Sequence, residues 1–110
     1  MGNLNKYDEA IECYNKAIQI NPNYANAFYN KGSALDDLNK YNEAIECYDK
    51  AIQIDPNNVG AFVNKGNSLR NLNKYNEAVE SYDNALKIDP NIPFAIENRK
   101  IAVNHLIKNN

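Results

Sequence analysis

The sequence is poor in the residue types that most often carry chemistry. It has no tryptophan, one methionine, one histidine and two cysteines, and the two cysteines and the histidine lack the spacing of zinc ligands. The stretch DPNN has too few acidic residues for a calcium loop, and there is no glycine-rich phosphate loop. We therefore expect no metal and no cofactor.

The chain also lacks an excess of positive charge and a long apolar run. Lys and Arg number 12 against 14 Asp and Glu, a net charge of −2, whereas nucleic-acid binding needs clustered cations. No apolar run reaches the roughly 18 residues of a membrane span. The first residues contain no apolar secretion signal, and a myristoylation signal would need Ser or Thr where Lys6 stands. We predict a cytoplasmic protein without nucleic-acid or membrane partners.

The two cysteines occupy equivalent places in successive copies of a repeated stretch. Equivalent residues of packed helices lie roughly 10 Å apart, whereas a disulfide needs Cα atoms about 4.4–6.8 Å apart. We therefore expect Cys13 and Cys47 to be reduced thiols. The third copy has Ser81 at this place, which indicates a position for a small residue.

Internal repetition is the main feature that the sequence does contain. The stretch NKYNEAIECYDKAIQIDPN at 39–57 follows NKYDEAIECYNKAIQINPN and precedes NKYNEAVESYDNALKIDPN, while the intervening segments vary more. Pro22, Pro56 and Pro90 are spaced by 34 residues. A repeat of this period is one supersecondary unit.

Both the constant and the variable segments have helical periodicity. The constant segment places apolar residues three and four apart up to Pro56, which ends the helix: Tyr41, Ala44, Ile45, Tyr48, Ala51, Ile52 and Ile54. The variable segment does the same with Phe28, Gly32, Leu35 and Leu38. Asn39 and Asn73 are predicted left-handed helix caps. Because the connecting turns are short, neighbouring helices must be antiparallel.

Gly32 and Gly66 lie in the middle of predicted helices. A glycine there costs about 1 kcal/mol relative to alanine, so something must offset the cost. We expect close approach of the partner helix, with Ala44 and Ala78 supplying the matching small surface.

These features together resemble the tetratricopeptide repeat, with its pattern W-x2-L-G-x2-Y, then A-x3-F, then P. The matching residues are Phe28, Lys31, Gly32, Leu35, Ala44, Tyr48 and Pro56, followed by Phe62, Lys65, Gly66, Leu69, Ala78, Tyr82 and Pro90. Phe replaces the tryptophan and Lys the first leucine. The resemblance implies an all-α fold, a right-handed α-solenoid of antiparallel helix pairs.

The repeat frame predicts one array over residues 1–110. With A and B denoting the first and second helix of a pair, the order is B-A-B-A-B-A. Residues 1–24 would be a partial repeat with a second helix only, at about Tyr7–Ile20, after a helix tail at Met1–Leu4. Residues 25–58 and 59–92 would be full repeats, and 93–110 a closing first-type helix.

Both ends of this frame have helices without partners. The residues exposed there, which we predict to support self-association, are Ala10, Tyr14 and Ala17 at one end and Ile96, Val103 and Ile107 at the other. Head-to-tail stacking would then give a homo-oligomer. Lys100, at the place of Gly32, would oppose a further helix. The alternative is that the chain is a fragment of a longer repeat protein.

Candidate catalytic groups are few. His105, the only histidine, has no neighbouring cysteine or serine and is predicted to be a surface residue. Glu43 and Glu46 recur as Glu77 and Glu80 on the polar side of a helix, which indicates a solvated face rather than paired catalytic carboxylates. We predict no enzymatic activity.

The resemblance implies that first-type helices line a concave groove and second-type helices form the outer wall. The predicted partner-binding residues are Asn26, Tyr29, Asn30, Ser33, Asp37, Val63, Asn64, Asn67, Arg70, Asn71, Phe94 and Asn98, with Glu97, Ile101 and His105 on the same side. We predict a scaffold that binds an extended peptide or a partner helix. The alternatives are a self-assembling module and a regulatory segment of a larger enzyme.

Asn30, Asn64 and Asn98 recur at the 34-residue interval as a ladder of amides. A side-chain amide both donates and accepts, so it can bind a peptide backbone of any sequence. Similar ladders hold extended polypeptides in the O-linked N-acetylglucosamine transferase family. The alternative is that duplication merely copied a common residue, since 22 of the 110 residues are asparagine.

The resemblance also raises the two-carboxylate clamp, with which co-chaperones hold the C-terminus of heat-shock chaperones. That clamp needs Lys or Arg where Tyr29, Phe94 and Asn98 stand, and Asn where Ser33 and Asn64 stand. Only Asn64 fits, so we expect no such clamp.

Overall fold

The computed structural model describes residues 2–108, with side chains described for 6–108. This part of the chain contains six α-helices and no strand, which confirms the predicted all-α helical repeat fold. The helices are α1 Gly2–Ile20, α2 Ala25–Asp37, α3 Tyr41–Ile54, α4 Val59–Asn71, α5 Tyr75–Ile88 and α6 Pro93–Lys108. Met1 and residues 109–110, which the predicted frame included, lie outside the described residues.

The chain divides into two compact units, residues 1–56 with α1–α3 and residues 57–110 with α4–α6. In the first unit, α2 packs against both α1 and α3. Its core contains Ala27 and Leu35 from α2 and Ala44, Tyr48 and Ala51 from α3, the last three with no exposed surface. The tyrosine is the bulky member of this set, and the alanines let the two helices approach.

In the second unit, α5 packs against both α4 and α6. Ala78, Tyr82 and Ala85 of α5 are fully buried, as are Ala95 and Ala102 of α6. These alanines recur at the spacing of one helix face, so α6 presents a narrow apolar stripe to α5.

The mid-helix glycines are explained by close approach to a tyrosine ring. A Cβ atom on Gly32 would lie 2.6 Å from Cε1 of Tyr48, and one on Gly66 would lie 2.5 Å from Cε1 of Tyr82. The predicted close approach is confirmed, but the expected partners, Ala44 and Ala78, are not the groups that a Cβ would meet first. The ring of a buried tyrosine reaches further across the helix interface than an alanine methyl.

The ends of α2 and α4 are closed by the predicted asparagines. Asn39 has a φ of 61° and Asn73 a φ of 63°, in the left-handed region. The Lys40 amide donates to the Leu35 carbonyl at 2.8 Å and the Asn39 amide to the Asp36 carbonyl at 2.8 Å, the two bonds of a Schellman ending. The hydroxyl of Tyr41 also donates to Asn39 Oδ1 at 2.8 Å. The Tyr75 hydroxyl makes the same bond to Asn73 Oδ1 at 2.9 Å, so Asn-Lys-Tyr closes the helix end in these two copies.

The first helix differs from the prediction at its start. It runs without interruption over Gly2–Ile20, so the expected break before Tyr7 and the separate helix tail at Met1–Leu4 are wrong over the described residues. Asn5 is helical, unlike Asn39. Because the backbone at Asn5 stays helical instead of turning left-handed, the residues before it continue into the same helix.

The cysteine position holds a small side chain, as predicted. Cys13 is exposed, Cys47 is buried, and both are free thiols. Ser81 at the third copy is 4% exposed. Its Oγ donates to the Phe62 carbonyl at 2.6 Å, which satisfies the buried hydroxyl. Among residues 2–108, no helix is both long enough and apolar enough to cross a membrane.

Candidate functional site

The predicted binding residues of the first unit lie along one side of α2. We call them the α2 surface: Asn26, Tyr29, Asn30, Ser33 and Asp37. The first, third and fifth of these are exposed, and Tyr29 and Ser33 are half-buried. The Tyr29 ring lies 6.0 Å from the ring of Tyr48, tilted by 56°, so the core supports one side of it. The surface therefore combines exposed polar side chains with one aromatic ring that the core supports on one side.

Asp36 adds a group to this region that the sequence analysis did not single out. The Tyr48 hydroxyl donates to Asp36 Oδ2 at 2.5 Å. Burial of the tyrosine, followed by this bond to Asp36, raises the pKa of Tyr48 well above its ordinary value. The phenol therefore stays protonated and remains a donor to the carboxylate. The only sign of this bond in the sequence is the acidic pair at the end of α2, Asp36 and Asp37.

All predicted binding residues of the second unit lie on α4 and α6. Six of them form what we call the α4–α6 surface: Asn64, Asn67, Arg70, Asn71, Phe94 and Asn98. Val63, which was also predicted to bind a partner, is 9% exposed and packs in the core of this unit. At the equivalent position of α2, the Tyr29 side chain is long enough to reach the surface, whereas the shorter side chain of Val63 stays within the core.

A hydrogen-bonded cluster joins α4, α5 and α6 at this surface. Asn67 Oδ1 accepts from the Tyr82 hydroxyl at 2.6 Å and from Asn98 Nδ2 at 2.9 Å. Burial raises the pKa of Tyr82 to about 12, and the positive charge of Arg70 partly opposes the rise. The tyrosine is therefore a neutral donor that holds the Asn67 amide in one orientation.

The three residues of the asparagine ladder have different surroundings. Asn30 is exposed in the first unit, while Asn64 and Asn98 are half-buried in the second. Asn98 donates to Asn67, one turn beyond Asn64 on α4. The amide of Asn98 is thus pre-positioned by the protein itself.

Apolar and aromatic side chains of α6 are unusually exposed. Phe94 is 77% exposed and Ile101 is 36% exposed, and both lie on the same side of α6 as Asn98. His105 is exposed, as predicted, and its ring stacks on Tyr75 with centroids 4.4 Å apart and planes 6° apart. An exposed phenylalanine of this kind is a common anchor for a partner protein.

The residues predicted for self-association are partly exposed. Ala10, Tyr14 and Ala17 of α1 are half-buried, whereas their counterparts in α3 and α5 have no exposed surface. On α6, Ile96 is 39% and Ile107 66% exposed, and Val103 is half-buried. Lys100 is exposed on the same helix. Both faces are apolar, and the other described residues cover them only in part.

The chemistry of the remaining groups is limited. No group of three or more potential metal ligands exists among the described side chains. Burial raises the pKa of the Cys47 thiol, with nearby Lys31 partly opposing the rise, so this thiol is a poor nucleophile. Depressions of about 510 and 360 Å³ lie beside α5, and none of the residues lining them is a predicted binding residue.

Comparison with known proteins gives the family. Residues 25–58 and 59–92 each match the tetratricopeptide repeat, and residues 3–38 match a further TPR repeat model. A 35-residue stretch is 46% identical to an uncharacterized protein of Methanocaldococcus jannaschii, covering 32% of this chain and 41% of that protein. The match therefore spans less than half of that relative.

Solved structures extend the likeness over nearly the whole chain. The first TPR of Spaghetti (RPAP3) bound to the HSP90 peptide SRMEEVD has a TM-score of 0.91 at 28% identity, covering 94% of this chain and 82% of that one. The second TPR domain of human RPAP3 in complex with the HSP70 peptide SGPTIEEVD gives 0.85 at 30% identity, with 89% and 82% covered.

A third structure, the complex of the TPR2B domain of yeast Sti1 with pHsp70, gives a TM-score of 0.87 at 26% identity and covers 92% of this chain and 86% of that one. The repeat period, the glycine–tyrosine contact within each helix pair and these matches agree. The chain belongs to the tetratricopeptide repeat family.

Proposed function

We propose that this chain is a noncatalytic scaffold that binds an extended segment of a partner protein through the α2 surface and the α4–α6 surface. The observation that carries the proposal is the exposure of Phe94, at 77%, on the same side of α6 as the pre-positioned Asn98. Burying an exposed aromatic side chain of this size against a partner contributes about 2 kcal/mol of binding free energy. On the same side, the held amide of Asn98 still offers one N–H donor and its carbonyl acceptor to a peptide backbone.

The solved relatives support peptide binding as the mode. Their bound segments are short peptides of HSP90 and HSP70. The chaperone C-terminus itself is not the partner that we propose, because Tyr29, Ser33, Phe94 and Asn98 stand where the two-carboxylate clamp needs other residues. The shared part is the mode of binding, and the partner differs.

The asparagine ladder supplies sequence-independent binding in this proposal. Each net hydrogen bond contributes about 0.5–1.5 kcal/mol. Losing the amides of Asn30 and Asn64 together should cost about 1–2 kcal/mol, or roughly 5- to 30-fold in affinity. Tyr29 and Phe94 would add apolar contacts that depend on the ligand's sequence.

The test begins with selection of binding peptides from a random-peptide display library against the full chain. Affinity of a selected peptide is then measured by calorimetry for the native chain and for Asn30→Ala/Asn64→Ala. The matched control is Asn42→Ala/Asn76→Ala, an exposed pair with the same 34-residue spacing on α3 and α5. We expect a 5- to 30-fold loss for the first variant and less than a twofold change for the control. No enrichment of any peptide would refute the proposal.

Self-association remains a second candidate. It is favoured by the half-buried Ala10, Tyr14 and Ala17, whose counterparts elsewhere are fully covered. It is opposed by Lys100, because even a Cβ at the equivalent Gly32 would lie 2.6 Å from a tyrosine ring. Light scattering over a concentration range tests it, and a constant monomer mass would exclude it.

A further inference from the structure

The hydrogen-bonded cluster of the second unit has more donors than acceptors. Asn67 Oδ1 already accepts two bonds, from the Tyr82 hydroxyl and from Asn98 Nδ2. The groups left over are mostly donors: Asn67 Nδ2, the second N–H of Asn98 and the guanidinium of Arg70. Asn67 and Arg70 are three residues apart on α4, so they share a face of the helix.

Arg70 is available to a ligand at this surface. It follows Asn67 by three residues on α4, so the two side chains are neighbours on one helix face, and its positive charge partly opposes the rise in the pKa of Tyr82. Among the side chains described, residues 6–108, Arg70 makes no ion pair, whereas Arg99 on α6 is held by Asp83 with Nε 2.6 Å from Oδ1. A half-buried arginine without a carboxylate partner favours binding of an anion.

The first unit has the opposite polarity at the equivalent positions. Asp36 stands where Arg70 stands, Asp37 where Asn71 stands, and Ser33 where Asn67 stands. There the buried Tyr48 hydroxyl donates directly to the Asp36 carboxylate. The same fold position therefore carries an acidic group in one unit and a cationic group in the other, although the buried tyrosine is unchanged.

We propose that the α4–α6 surface binds the carboxylate of an Asp or Glu side chain within an extended segment of a partner protein. Arg70 would make the ion pair, and the amides of Asn67 and Asn98 would donate hydrogen bonds. This inference rests on the proposed function and adds to it a class of ligand residue and the groups that select it.

The surroundings favour an internal acidic residue over a chain terminus. Phe94 and Ile101 lie four residues before and three residues after Asn98, and both are exposed. A segment that continues past its acidic residue in both directions can cover both apolar side chains, whereas a terminal carboxylate leaves one uncovered. Glu97 is also exposed on α6 and weakens the site, so the balance of charge depends on Arg70.

The test uses the full chain and three N-acetylated peptides as probes, two with an amidated C-terminus and one with a free C-terminal carboxylate. They are acetyl-GLGEGLG-amide, acetyl-GLGQGLG-amide, and acetyl-GLGQGLG with a free C-terminus. NMR titration follows the side-chain Nδ2 signals of Asn67 and Asn98 and the Nε signal of Arg70. We expect the Glu peptide to shift these signals and to bind at least fivefold more tightly than either Gln peptide.

Two variants assign the preference to the proposed group. Arg70→Gln should remove the difference between the Glu and Gln peptides, and the matched control Arg99→Gln should preserve it. Equal affinity for all three peptides would overturn the inference while leaving general peptide binding intact. Tighter binding of the free C-terminus would overturn it in favour of a terminal carboxylate. Absence of any shift with the Glu peptide would also overturn it, whereas the display selection separately decides the proposed function.

Discussion

Replacing Gly66 by alanine tests the packing that holds each helix pair together. By helix propensity alone the change should stabilise α4 by about 1 kcal/mol. The structure predicts the opposite result, because the added Cβ would lie 2.5 Å from Cε1, 2.8 Å from Cδ1 and 2.9 Å from Cζ of Tyr82. Ordinary contact begins near 3.5 Å, so the ring must move by about 1 Å.

Tyr82 has little freedom to make that movement. It has no exposed surface, and its hydroxyl is bonded to Asn67 Oδ1 at 2.6 Å. Overpacking of this kind costs about 1–3 kcal/mol, and a stretched hydrogen bond adds roughly 0.5–1.5 kcal/mol. After subtraction of the gain in helix propensity, we expect Gly66→Ala to lower the free energy of unfolding by about 1–3 kcal/mol.

Urea unfolding followed by circular dichroism measures this change. With a slope of about 1–3 kcal/mol per molar urea, the midpoint should fall by roughly 1 M at unchanged slope. In a double-mutant cycle, Tyr82→Leu removes the ring, and Gly66→Ala should then be neutral or stabilising. A stabilised single variant, or equal effects in both backgrounds, would refute the explanation of the mid-helix glycines.

Two further predictions concern ionisation and thiol access. Because burial raises the pKa of Tyr82 to about 12 from an ordinary value near 10, its neutral form contributes stability that is complete below pH 10 and lost as pH rises through 12. The loss is roughly 2–3 kcal/mol and should be absent in Tyr82→Phe, compared by urea unfolding from pH 9 to pH 12. Cys13 is exposed and Cys47 is buried with a raised pKa, so a chromogenic thiol reagent at pH 8 should modify the first rapidly and the second only on unfolding. Equal reaction rates in the folded chain would contradict the described burial.

The local structure of each repeat could be predicted because local chemistry determines it. The left-handed asparagines at 39 and 73 follow from helix-end geometry, and the cost of a mid-helix glycine by itself indicates a close approach of the partner helix. The pattern did not identify the tyrosine as the group approached, since the alanines recur at the same spacing. The first helix was mispredicted by analogy with the other copies, because Asn5 is helical where Asn39 and Asn73 are left-handed.

The candidate site was only partly predictable, because its bonds join residues far apart in sequence. Asn67 and Asn98 are 31 residues apart, and nothing local indicates that their amides meet. The buried tyrosines occupy equivalent positions yet donate to different groups, Asp36 in one unit and Asn67 in the other. The choice depends on which neighbour carries an acceptor, and this differs between the variable segments. The sequence could therefore indicate which residues form the candidate surface, but not which hydrogen bonds join them.

The most direct test of the central claim is NMR mapping of a display-selected peptide on the isotope-labelled chain. The claim is that first-type helices recognise a partner while the constant second-type helices provide the framework. We expect the largest shifts at Asn30, Asn64 and Asn98 and at Phe94, with little change at Asn42 of α3. Shifts concentrated on the exposed faces of α3 and α5 would contradict the account.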